Sequence, residues 1–284
     1  MATTTTLKLK SDKINAILLL ALTATMWSIG GILIKSVHSH PLAIAGCRSA
    51  IAAAVLFIAL KKPKITWSGP QIGAAVAYSL TVILFVVSTK LTTAANAVLL
   101  QYSSPIYVAI LGAWLLNEKA KLRDWITILI VICGMILFFF DQLSLDGIWG
   151  NLAALTAGVT FAFFAVFMRM QKDGSPMESV LLGNIMTAII GLPFIFQSMP
   201  DTNGWLNLIL LGVFQLGIPY IFYSKAIKSA TALQAALIPI IEVLLNPLWV
   251  FLFIGEAPGY WALIGGAVVI TAVTIRCVLS VFRE

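Results

Sequence analysis

Ten continuous runs of apolar residues fill most of this 284-residue chain, and no other feature restricts its fold as tightly. They extend approximately from Ile14 to Ile34, Pro41 to Leu60, Pro70 to Thr89, Ala94 to Leu116, Trp125 to Phe140, Gly147 to Met168, Met177 to Gln197, Asn203 to Ser224, Ala232 to Ile254 and Pro258 to Leu279. A helix that crosses a bilayer needs about 20 apolar residues, which most of these runs supply or approach. Strands of a membrane barrel alternate apolar and polar residues over about ten positions, and these runs do not alternate. The expected fold is therefore an all-α polytopic membrane protein with ten transmembrane helices. Only short loops remain, so there is no length for a separate catalytic domain. The composition agrees: 60% hydrophobic and 10% charged residues exclude an ordinary water-soluble domain, which carries about 25% charged residues.

The net charge of +7 would suggest a nucleic-acid partner in a soluble protein. Here its distribution carries the information. With the N-terminus placed in the cytoplasm, Lys8, Lys10, Lys13, Lys61, Lys62, Lys64, Lys119, Lys121, Arg123, Arg169, Lys172, Lys225, Lys228, Arg276 and Arg283 all fall on the cytoplasmic side. Of the 18 basic residues only Lys35 and Lys90 fall outside, and Arg48 lies within the second run. The positive-inside rule thus predicts a multi-pass protein of a bacterial-type cytoplasmic (inner) membrane with both termini in the cytoplasm. Asp141, Asp146, Asp201 and Glu256 fall outside. The first run sits behind a polar head like that of a signal peptide, but it is too long and lacks a cleavage site, so a retained anchor is expected.

The chain repeats itself. Ala21-Leu22-Thr23-Ala24 in the first run recurs as Ala154-Leu155-Thr156-Ala157 in the sixth, and Leu116-Asn117-Glu118 closing the fourth matches Ile254-Gly255-Glu256 closing the ninth. Two five-helix halves follow, residues 1–140 and 147–284. Five is odd, so the second half enters the membrane in the opposite sense. Inverted repeats of this kind recur in secondary transporters, which hold their substrate near mid-membrane between the halves.

The two five-helix halves, the stretch Ile44-Ala45-Gly46-Cys47-Arg48-Ser49-Ala50-Ile51-Ala52-Ala53, the endings in Glu118 and Glu256, and Pro239-Ile240-Ile241-Glu242-Val243 together resemble the drug/metabolite transporter superfamily, EamA type. Val243 stands where that family often has a second Pro, while the first half keeps Pro105 after Ser104. The resemblance implies export of amino acids, metabolites or drugs, and the overall appearance is closest to YddG-type exporters of aromatic and other neutral amino acids.

Polar groups inside the bilayer are costly unless paired or facing water, so they mark a candidate path. Glu242 is the one carboxylate well inside a run, and helical spacing aligns Gln234, Ile238, Glu242 and Asn246. The repeat offset makes Ser104 the counterpart of Glu242, with Gln101 one turn earlier. These residues form the floor of a central cavity in which Glu242 binds an ammonium or carries a proton, or they only tie helices together by hydrogen bonds. Arg48 lies about 10 Å below the outer start of its run. It has two readings, recognition of a substrate carboxylate and a structural arginine satisfied by carbonyls or snorkelling. Tyr78, Thr81, Phe85 and Ser88 share one face of the third helix, and the eighth carries Gln215, Tyr220 and Tyr223. Trp27 and Thr23 on the first helix, and Thr156, Thr160, Phe163 and Phe164 on the sixth, complete the set. Each aromatic here is a wall of a solute site or ordinary packing; sparse polar groups among aromatic walls suit a small amphiphile. Pro105 and Pro239 interrupt their helices beside these polar positions and are expected to mark gating bends.

Other functions fit less well. An enzyme would need a convergent nucleophile, acid/base pair or metal cluster within the bilayer, and Glu242 with no intramembrane histidine does not supply one. His38 and His40 flank a short loop without further ligands, and Cys47, Cys133 and Cys277 form no C-x-x-C pair. No glycine-rich phosphate loop is present. The expectation is a carrier without cofactor, metal or nucleic-acid partner, surrounded by lipid and compatible with a monomer. It moves a small, amino acid-like solute by alternating access, uniport or proton-coupled, with a multidrug or other metabolite exporter of the same superfamily as the alternative.

Overall fold

The computed structural model describes residues 2–140, 147–245 and 259–282, and every regular element among them is helical. The helices are α1 (Ala2–Trp27), α2 (Gly30–Ser36), α3 (Pro41–Leu60), α4 (Gly69–Leu91), α5 (Ala94–Gln101), α6 (Ser104–Leu115), α7 (Leu122–Phe138), α8 (Ile148–Met170), α9 (Pro176–Gly191), α10 (Thr202–Leu210), α11 (Ile218–Ala226), α12 (Ala232–Leu237) and α13 (Tyr260–Phe282). Their starts follow from local chemistry. Pro41 opens α3, and the His40 ring nitrogen accepts the Leu42 N–H at 3.2 Å. Thr231 and Gln234 cap α12 reciprocally, at 3.2 and 2.9 Å.

Eight helical segments among the described residues are long and apolar enough to cross a membrane: Ser11–Ser36, Pro41–Leu60, Gly69–Leu91, Asn96–Leu115, Ile148–Met170, Pro176–Gln197, Thr202–Ala226 and Tyr260–Ser280. They coincide with eight of the ten runs. The fifth run is the 17-residue helix α7. The ninth is described only over Ala232–Leu245. Asn246, Pro247 and Glu256, like Asp141 and Asp146, lie outside the described residues.

Helices of one half pack chiefly on helices of the other. α4 lies along α8, α3 along α9, α7 along α13 and α1 along α11, while α6 packs on α8 and also on α12. In the order of the ten apolar runs these are three with six, two with seven, five with ten, one with eight and four with nine. Exchanging the halves, span one for six and so on, turns this pairing into itself, as a two-fold relation between halves requires.

Small residues set the closest of these approaches. A Cβ on Gly46 of α3 would stand 2.6 Å from the Gly191 carbonyl carbon and the Leu192 nitrogen at the end of α9. Both are backbone atoms, which cannot swing aside. Gly69 at the start of α4 has no such neighbour within 4 Å.

Polar chemistry concentrates at the two ends of the bundle. At the end that gathers the basic loops, Glu118 accepts Arg169 Nε at 2.8 Å and the Ala232 N–H at 3.1 Å. Arg169 also donates to the Ile227 and Lys228 carbonyls at 3.0 and 2.8 Å, and Arg276 pairs with Asp124 at 2.6 Å. At the opposite end Lys90 donates to the Val37 carbonyl at 2.7 Å, and Asn96 donates to Asn151 at 3.0 Å. Trp67, Trp125, Trp149, Trp205 and Trp261 lie near span ends and are exposed, as residues of an interfacial belt are.

Gly46→Ala is expected to destabilise the protein by roughly 1–3 kcal/mol through overpacking. Gly69→Ala should leave the thermal midpoint in detergent unchanged within about 0.5 kcal/mol. Equal midpoints for the two variants would contradict the Gly46–Gly191 contact.

Candidate functional site

Both halves contribute to one small central cavity. Trp27, Arg48, Thr81, Val82, Phe85 and Gln101 line it from the first half, and Phe161, Gln215, Leu216, Tyr220 and Glu242 from the second. Its open volume is about 40 Å³. That holds a few waters but no aromatic ring, since a cavity that takes up benzene measures ~150 Å³. A solute of that size enters only when the walls part.

Helix irregularities present the polar groups. Pro105 has no N–H to give to the Gln101 carbonyl, and the fourth span breaks there: α5 ends at Gln101 and α6 begins at Ser104. Gly158 of α8 packs against that carbonyl, where a Cβ would come within 2.7 Å. Pro239 lies in a 3₁₀ turn, Ile238–Ile240, immediately before Glu242. The two breaks are joined, because the Tyr102 hydroxyl donates to the Pro239 carbonyl at 3.1 Å. The Tyr102 phenol also lies beside the Glu242 carboxylate. A π-helical turn, Leu211–Gly217, carries Gln215. Gln215 lies against Gly30, where a Cβ would stand 3.0 Å from its Nε2.

Several polar atoms of the lining residues are buried without a hydrogen-bond partner among the described residues: Trp27 Nε1, Arg48 Nε, Gln101 Oε1 and Glu242 Oε2. Native interiors leave few such atoms. Four on one cavity make it the candidate site. Arg48, 1% exposed, donates to Gln215 Oε1 at 3.0 Å and to the Val82 carbonyl at 3.2 Å.

The aromatic residues form a layer, of which only part faces the cavity. Trp27 stands 5.1 Å from Tyr220 and stacks on Tyr223 at 5.8 Å, and Tyr78 meets Tyr220 edge-on at 4.8 Å. Phe164 stacks on Tyr223 at 5.6 Å. Centroid separations of this order are the favourable range for ring pairs.

Of the residues singled out in the sequence, Trp27, Thr81, Phe85, Gln101, Gln215, Tyr220 and Glu242 line the cavity together. Tyr78, Thr160, Phe164 and Ser104 do not. Tyr78 and Phe164 form the layer behind, where the Tyr78 hydroxyl accepts from Asn184 Nδ2 at 2.9 Å. Thr160 supports the wall by accepting from Thr81 Oγ1 at 2.8 Å, and Ser104 is buried at the head of α6, its hydroxyl without a partner among the described residues. Asn246 lies outside the described residues. Phe161, Val82, Leu216 and Tyr102 are additions. The first three carry no sequence signal beyond apolarity; Tyr102, a polar aromatic just before Pro105, carries one.

A wider cavity of about 210 Å³ opens at the basic end, beside Gly112, Glu118, Asp124, Thr231 and Arg276. Its carboxylates are already engaged by Arg169 and Arg276. The central cavity is therefore the better candidate despite its size.

The EamA-like transporter family model matches twice, over residues 14–140 and 148–276. An Archaeoglobus fulgidus protein described as an uncharacterized transporter is 26% identical over 72% of this chain and 74% of its own. Human solute carrier family 35 member G1 is 26% identical over 88% of this chain and 75% of its own. The pseudopaline exporter CntI of Pseudomonas aeruginosa is 23% identical over 91% and 94%. A solved crystal structure superposes with a TM-score of 0.79 at 17% identity, covering 93% of this chain and 98% of that one, and so shares the fold.

Tyr102→Phe removes the hydrogen bond between the two breaks and should cost about 1 kcal/mol. The check is a thermal midpoint lower than the wild type's in the same detergent. An unchanged midpoint would show that the contact does not hold the breaks together.

Proposed function

The chain belongs to the EamA-like transporter family, and from that premise we propose that it is a secondary carrier exporting small organic solutes, aromatic and other neutral amino acids first among them. The membrane is the cytoplasmic one, crossed ten times by two inverted halves, residues 1–140 and 147–284, with both termini in the cytoplasm. One observation carries the reading: a central cavity built by both halves, walled by Trp27, Phe85, Phe161 and Tyr220, in which polar atoms of Gln101, Glu242 and Arg48 lack partners among the described residues. Aromatic faces suit an apolar side chain, and isolated polar atoms suit a charged head group. The relative in Pseudomonas aeruginosa is an exporter, which supports the direction.

Alternating access requires the spans around the cavity to move, and the breaks at 102–103 and 238–240 are where they yield. The same architecture serves the alternative cargo, drugs or other metabolites. The aromatic layer alone favours that alternative, while the polar atoms favour an amino acid.

Purified protein in liposomes should carry labelled phenylalanine and other neutral amino acids, assayed beside cationic dyes with and without a proton gradient. Dye transport without amino-acid transport would transfer the function to multidrug export. If Glu242 couples protons, Glu242→Gln abolishes gradient-driven accumulation and leaves equilibrium exchange; unchanged gradient dependence excludes Glu242 as the coupling residue. Pro105→Ala and Pro239→Ala should each lower the transport rate more than protein abundance. Parallel losses of both would make the prolines folding determinants instead.

A further inference from the structure

We infer that Arg48 anchors an anionic group of the solute, a carboxylate in the first instance, and that the site orients a bipolar molecule between Arg48 and Glu242. The inference rests on the carrier reading and names the chemistry of that same cavity. Its starting point is an imbalance. Arg48 is 1% exposed, yet its protein acceptors are two neutral oxygens, Gln215 Oε1 and the Val82 carbonyl. Among the described residues its Nε has no partner and no carboxylate pairs with it. Two other arginines that reach into the bundle differ: the partly buried Arg169 is paired with Glu118 and the buried Arg276 with Asp124.

A buried cation without a counter-charge costs several kcal/mol. A purely structural link between α3 and the Gln215 turn would be met by a neutral amide without that cost. Retaining the charge is useful when the counter-charge arrives with a ligand. The guanidinium is planar and matches a carboxylate with parallel N–H donors, and it lies in the cavity wall instead of among lipid-facing residues. Glu242 lines the same cavity, with no ion pair joining it to Arg48, and its Oε2 also lacks a partner. Tyr220 stands within electrostatic range of both charges. A solute with a carboxylate, an ammonium and an aromatic or aliphatic side chain satisfies both ends at once. A solute with only a cationic end leaves Arg48 as it is.

The test uses the full chain in lipid nanodiscs and three probes: phenylalanine, phenethylamine, which lacks the carboxylate, and 3-phenylpropionate, which lacks the ammonium. Affinity is read from ligand-dependent thermal stabilisation. Phenylalanine should bind the wild type more tightly than either analogue. Arg48→Met should weaken phenylalanine and 3-phenylpropionate by about tenfold or more, the loss expected for a charge-assisted hydrogen bond, and leave phenethylamine unchanged. Arg48→Lys, keeping the charge but not the fork, should recover part of the loss. The ligand-free Arg48→Met protein should melt only slightly lower than the wild type, through the loss of two hydrogen bonds to neutral acceptors, because no buried counter-charge is stranded.

A strongly lowered midpoint or failure to fold would make Arg48 structural, and equal weakening of phenethylamine and phenylalanine would do the same. A wild type that binds phenethylamine as well as phenylalanine also overturns the inference. The carrier reading fails separately. Phenylalanine bound in the expected order but not moved across liposomes would remove the transport function and leave the anion site. Dyes moved with no carboxylate probe bound would remove the anion site and leave the carrier.

Discussion

Within a bilayer a polar group can find a partner only in the protein itself or in water that the protein admits. That constraint arranges this molecule. Most charged side chains sit at the two ends of the bundle, where Glu118, Arg169, Asp124 and Arg276 bind one another and the ends of helices. Hydroxyls inside the bundle close short links between or within helices, as Thr81 does with Thr160 and Thr187 with Ser79. Four of the side-chain atoms left without a partner among the described residues, on Trp27, Arg48, Gln101 and Glu242, line the central cavity. Those four atoms single out the candidate site.

The cavity exists because two spans are broken. An uninterrupted helix would bury its carbonyls in its own ladder and present side chains at a fixed pitch. Pro105 and Pro239 suspend that ladder, Tyr102 joins the two interruptions, and Gln101 and Glu242 emerge beside them. Breaking the backbone is tolerable where neighbouring protein closes over it, and Gly158 allows α8 to do so.

Much of the architecture was legible because hydrophobic length is a one-dimensional signal. Pro41 and the Lys61–Lys62 pair bracket a helix that runs from Pro41 to Leu60, since proline favours a first turn and lysine avoids the hydrocarbon. The site was legible where a rare residue type stood out: Gln101, Gln215 and Glu242 are conspicuous in apolar runs, and all reach the cavity. Tyr78 and Phe164 look no different in sequence from Tyr220 and Phe85. Their rotation about the helix axis places them one layer back, and rotation depends on packing across the halves. Arg48 was ambiguous for a similar reason. Its acceptors lie 167 and 34 residues away, so whether a carboxylate would meet it could not be read locally.

The interleaving of the halves has a consequence for biogenesis. The helices that α3, α4 and α1 pack against most heavily are α9, α8 and α11, all of which are synthesised later. When the first repeat, residues 14–140, has left the ribosome, Arg48 has no Gln215 to bind, Thr81 has no Thr160, and the Gly46 face of α3 has no Gly191 to meet. The early half must wait in the membrane with its polar side chains dependent on lipid head groups, water or the insertion machinery. Tertiary folding is therefore a late event on this chain, and a nascent product stalled after the fifth span is a natural substrate for membrane quality control.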